Sequence, residues 1–110
     1  MNAVASLFGS ENAGRVLLYL QNYGEGYARA IADAYGLPHS VIQKQLVRLE
    51  REGVLVSQLK GRTRVFTWNP RFALRAELAA LLEKALPLVP RSEAQVFARR
   101  SRPRRTGKRL

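Results

Sequence analysis

The chain contains no cysteine, a single histidine (His39) and a single aspartate (Asp33). Without cysteine there are neither disulfides nor thiolate metal sites, and reduced surroundings are expected. No apolar run approaches the roughly 20 residues that a membrane span requires. The amino terminus has no cationic stretch followed by an apolar core, so no secretory signal is expected and a cytoplasmic location is. Acidic side chains are also scarce, with 8 Asp plus Glu against 19 Lys plus Arg, a net charge of +11. From Arg91 onward there are eight basic residues and one acid, so the excess is heaviest at the carboxy end. A basic body with a more basic tail suits a polyanion, above all nucleic acid; the competing reading is solubility alone.

What is present is a succession of short amphipathic segments. Residues 2–8, "NAVASLF", have apolar positions for a short first helix, interrupted by Gly9. Ser10 can cap a helix that carries Val16, Leu17 and Leu20 on one side and stops at Gly24. Residues 27–35 read as another helix ending at Gly36. In "GLPHSVIQKQLVRLEREG", Ile42, Leu46 and Leu49 form a helical stripe, entered at Pro38 and stopped at Gly53. The period then changes: "VLVSQLK" and "RVFTW" around "GRT" predict a two-stranded β-hairpin, with Phe66 and Trp68 turned to the core. Asn69 and Pro70 predict the N-cap and first residue of a helix over 70–86, lined by Leu74, Leu78, Leu81, Leu82 and Ala85. Ser92 and Gln95 have capping-box spacing, which predicts a short helix over 92–100. The fold class expected is mainly α with a β-hairpin: about five helices plus a two-stranded wing. Residues 1–86 form the domain, and 87–110 a basic, flexible tail.

The helices over 27–35 and from Pro38 to Gly53 have helix-turn-helix spacing. Ala32 is small enough for close approach, Gly36 can take the positive φ of a short turn, and Ile42 fills the space beneath. Opposite the apolar stripe lie Ser40, Lys44, Val47 and Arg51, with Arg48 beside them. That face suits a DNA major groove, whose base edges offer acceptors and whose rims are phosphates. Ser40, Gln43 and Lys44, with His39, are the candidate base readers; Gln43 suits adenine and Lys44 guanine. Arg48 and Arg51 are placed for phosphate, although Arg48 can also pair with Glu52 one turn on. Val47 can meet a thymine methyl or simply face solvent. Lys60, Arg62 and Arg64 surround Gly61 at the hairpin tip, where arginine suits a minor groove and equally blunts a sheet edge.

A helix-turn-helix followed by a hairpin is the order of a winged helix. From "LFGS" through "RLEREGVLVS" and the "GR-x-R-x-F-x-x-NP" hairpin exit to "ELAALLEKAL", the chain resembles ArsR-type winged helix-turn-helix transcriptional regulators. Within that group it is most similar to small bacterial and archaeal winged-helix domains, some of them fused to nucleotidyltransferases. The resemblance covers about residues 4–86 of this chain. It implies double-stranded DNA as partner, transcriptional control, and a homodimer whose interface would use Val4, Leu7 and Phe8 with Leu74, Leu78, Leu81 and Leu82.

The chain departs from that family in one respect. Metal-sensing members use cysteines before the recognition helix, or His and acidic ligands on the last helix. Here those stretches read "YARAIADAYG" and "ELAALLEKAL", so neither metal nor other cofactor is expected. Nor is catalysis: His39 and Asp33 flank the turn without a nucleophile constellation. The alternatives carried forward are a protein-interaction winged-helix module and a non-specific nucleic-acid-binding accessory protein.

Overall fold

A computed structural model describes residues 8–98. The chain is mainly helical with a small antiparallel sheet. Helix α1 (Glu11–Tyr23) begins as its sequence requires. The Ser10 hydroxyl accepts from the Ala13 amide at 3.2 Å, and Glu11 sits in the first turn, where the helix dipole favours an acid. Strand β1 (Glu25–Gly26) and helix α2 (Ala28–Tyr35) follow. Gly36, with φ 69°, ends α2 in the left-handed conformation, and the Leu37 amide returns to the Ala32 carbonyl at 2.9 Å. This tight turn sends the chain into helix α3 (His39–Arg51), and Ala32, buried at the α2 surface, leaves room for α3 to pack closely.

Ile42, Leu46 and Leu49 are buried, as their spacing predicts, and meet Val16, Leu17 and Leu20 of α1 and Ile31 of α2 in one core. Strands β2 (Leu55–Lys60) and β3 (Thr63–Trp68) form the hairpin, turning at Gly61 with φ 65°. Phe66 is 1 % exposed and Trp68 packs against the same core, so both aromatics serve packing. The sheet has three strands rather than the two expected, in the order β1-β3-β2, with Glu25 opposite Thr67 and Gly26 opposite Phe66. Two residues, one of them glycine, are too few to show an alternating pattern, so β1 exists through its pairing with β3.

The last helix also differs from expectation. Asn69 does not cap a helix at Pro70. Its side chain accepts from the Arg71 amide at 3.0 Å and donates to the Gly53 carbonyl at 2.9 Å, which folds 69–72 into a turn. Helix α4 starts later and is shorter (Arg75–Ala85), burying Leu82 and Ala85. Beyond it come 3₁₀ segments at Leu86–Leu88 and Arg91–Phe97, the second where a short helix was expected over 92–100, of which 99 and 100 lie outside the described residues. No side chain caps that segment, whose N-cap is Pro90 rather than Ser92, and its Glu93 pairs with Arg15. Val96 is buried and Phe97 meets the edge of Tyr35, so 91–98, assigned by sequence to the tail, packs on α1 and α2. Residues 1–7 and 99–110 lie outside the described residues, and with them most of the helix expected over 2–8 and most of the basic tail. Among the described residues no helix is long and apolar enough to cross a membrane.

Candidate nucleic-acid interface

Helix α3 has one buried stripe, an outward face, and two flanks against different neighbours. His39, Ser40, Lys44, Val47 and Arg51 are exposed on the outside, which makes this face cationic and free of acids. Gln43 lies on the flank toward the hairpin. There it shares a cleft of about 250 Å³ with His39, with Arg62 and Arg64 of the hairpin, and with Tyr27 and Arg29 at the start of α2. Among the described residues no acidic side chain lines this cleft. Three guanidinium groups converge on it, each a planar donor fork suited to phosphate oxygens.

The predicted cations do not form one cluster. Arg62 and Arg64 enter the cleft with two of the four candidate base readers. Lys44 and Arg51, with Ser40, stay on the outer face. Arg48 lies on the opposite flank, bordering an apolar groove. Its Nε and Nη2 donate to Gln45 Oε1 at 3.3 and 3.1 Å, and its Nη1 lies 3.6 Å from Glu52 Oε1. The guanidinium is thus engaged with its own helix. Lys60 also stands apart from the cleft, with Nζ 3.6 Å from Glu25 Oε1 on β1; both side chains are over half exposed, so that pair contributes little to stability.

Arg64 is held from behind. Its Nη1 donates to Ser57 Oγ at 3.0 Å, and that hydroxyl donates to Glu50 Oε2 at 2.6 Å. Glu50 is seven residues beyond Gln43 and so lies on the same flank of α3. Sequence reading passed over Tyr27, Arg29, Glu50 and Ser57. Arg29 shows in sequence only as an exposed position between buried Ala28 and Ile31, and nothing in a linear pattern pairs it with the hairpin.

On the far side of α3, Phe8, Leu17, Leu49, Leu74, Leu78 and Leu81 line a groove of about 400 Å³. Leu74 is 59 % exposed and Leu81 42 %. Of the lining residues, Phe8, Leu74, Leu78 and Leu81 were assigned by sequence to a dimer interface; Val4 and Leu7, assigned with them, lie outside the described residues. Leu82, assigned with them, is wholly buried in this chain's own core and closed to a partner, because α4 turns that side inward. Among the described residues no group of three His, Cys, Asp or Glu side chains could hold a metal ion. No protein-family model, curated protein or solved structure matches the chain.

Proposed function

We propose that the chain is a sequence-reading, double-stranded DNA-binding transcriptional regulator of the ArsR-like winged helix-turn-helix kind, acting in the cytoplasm. Helix α3 enters the major groove, and the hairpin is the wing, lying on the adjoining backbone or minor groove. The observation that carries this reading is the cleft, without an acid among the described residues that line it, in which His39 and Gln43 of α3 stand beside Arg62 and Arg64 of the hairpin. Helix and hairpin thereby present one continuous cationic surface, as a duplex requires of two elements that touch neighbouring grooves. Ser40 and Lys44 read base edges from the outer face, Gln43 and His39 from the cleft side, and Arg51 contacts phosphate.

The test is charge reversal at Lys44, which is exposed and has no structural partner to lose among the described contacts. Lys44→Glu abolishes specific binding to a duplex while the melting temperature stays unchanged. Undiminished binding by that variant removes α3 from the interface.

The apolar groove supports the homodimer. An exposed leucine pair beside Phe8 on a concave surface suits a second copy related by a two-fold axis. Leu81→Arg places a charge in that contact and yields a monomer in sedimentation. A chain that is monomeric before the substitution refutes the dimer and leaves the groove to a different protein.

A further inference from the structure

We infer that the cleft between α2, α3 and the hairpin seats one backbone phosphate of duplex DNA, and that Glu50 and Ser57 aim Arg64 at it without touching DNA. The inference rests on the DNA-binding reading and names the anion contact within it.

The geometry is a relay across three elements. Glu50 of α3 accepts the Ser57 proton at 2.6 Å, and Ser57 of β2 accepts from Arg64 Nη1 of β3 at 3.0 Å. A serine hydroxyl has one proton and rotates freely unless its donor role is fixed. The Glu50 carboxylate fixes it, leaving the oxygen lone pairs for Arg64, and a hydroxyl that donates to an anion becomes a better acceptor. One guanidinium nitrogen is thereby anchored, and the remaining donors stay available to the cleft that Arg29 and Arg62 also line. An exposed arginine otherwise loses much rotamer freedom on contacting a phosphate; a pre-aimed one loses less. Glu50 is the acid nearest in this chain of contacts, and it is spent on the hydroxyl rather than on the guanidinium.

The direction of the effect separates positioning from plain charge. Removing a carboxylate from a DNA-binding surface tightens binding by charge alone. If Glu50 acts by aiming Arg64, Glu50→Ala weakens binding instead.

The test is a double-mutant cycle on a labelled duplex, with the full chain and a melting curve for each variant. Ser57→Ala weakens binding about fivefold in the parent, the scale of one ordinary hydrogen bond, and has no further effect when Arg64 is already alanine. Ser57→Thr, which keeps the hydroxyl, restores affinity. Arg64→Ala lowers the slope of log affinity against log salt by about 0.9, as expected for one phosphate lost. An equal loss from Ser57→Ala in both backgrounds overturns the relay, since Ser57 then matters for the hairpin and not for Arg64. A full effect of Arg64→Ala with none from Ser57→Ala or Glu50→Ala also overturns it, while leaving DNA binding standing. The same cycle run with inorganic phosphate decides the source of the anion: coupling toward free phosphate and none toward the duplex overturns the backbone assignment. Indifference of duplex binding to both Arg64→Ala and Lys44→Glu instead fails the DNA-binding reading itself.

Discussion

Arg15 Nε and Nη2 both donate to Glu93 Oε2, at 2.9 and 2.8 Å, tying the first turns of α1 to the 3₁₀ segment near the carboxy end. Both side chains are mostly shielded, Glu93 at 15 % and Arg15 at 22 % exposure, so this pair is less screened than a surface one. Glu93→Ala therefore destabilises the fold by about 1.5–3 kcal/mol, the range for hydrogen bonds to charged groups. Urea unfolding checks it: the midpoint falls with little change in slope. An unmoved midpoint means that the segment packs without the ion pair.

The same corner sets an alkaline limit. Burial, and then the Glu93 carboxylate, push the Tyr35 phenol above its ordinary value of 10.0, against a smaller opposing pull from Arg15. The phenol donates to the Arg15 carbonyl at 2.9 Å, a bond that only the protonated form can make. A raised folded-state pKa means that the contribution is whole below about pH 10 and is lost as pH rises beyond it. Unfolding free energy measured between neutral and strongly alkaline pH declines less steeply for Tyr35→Phe than for the parent. Equal declines would show that Tyr35 is not the group responsible.

Gly26 is a packing requirement. A Cβ built there lies 2.9 Å from Tyr19 Cε1 and 3.1 Å from Ile31 Cδ1, while its backbone pairs with Phe66. Gly26→Ala costs about 1–3 kcal/mol by overpacking, read as a lower thermal midpoint. A neutral result would mean that the Tyr19 ring swings aside freely.

Both Arg48 and Arg51 were placed for phosphate on sequence grounds, with pairing to Glu52 open to Arg48 alone, and the fold shows that pair. Arg48 is occupied by Gln45 and Glu52 on the flank beside the groove, whereas Arg51 is exposed on the outer face with no partner among the described residues. Arg51→Ala lowers the salt slope of duplex binding by about 0.9, and Arg48→Ala leaves it unchanged. The reverse order would place the DNA against the groove side of α3.

What was legible in the sequence was local. The Ser10 cap, the Gly36 turn and the stripe of Ile42, Leu46 and Leu49 follow from side-chain chemistry within a few residues, and each appears as read. What was not legible depended on distant partners. Strand β1 is two residues that become a strand only against β3. Asn69–Pro70 satisfies the rules for a turn as well as those for a helix start, and the Gly53 carbonyl decides between them. Ser92 and Gln95 match a capping box, but the segment starts one residue earlier, after Pro90, with no side-chain cap, and is 3₁₀. In the candidate site, the outward cations of α3 could be listed from its periodicity. That Arg29 and the hairpin arginines share a cleft with Gln43, or that Glu50 reaches Ser57, follows only from how α2, α3 and the sheet are packed.

Selection of binders from a random duplex DNA library at near-physiological salt, followed by sequencing of the enriched pool, tests the central claim most directly. The account predicts enrichment of a two-fold inverted repeat with half-sites about 34 Å apart, one helical turn along the same face of the duplex. A pool with no enriched sequence, whether the protein binds every duplex alike or none, would contradict it.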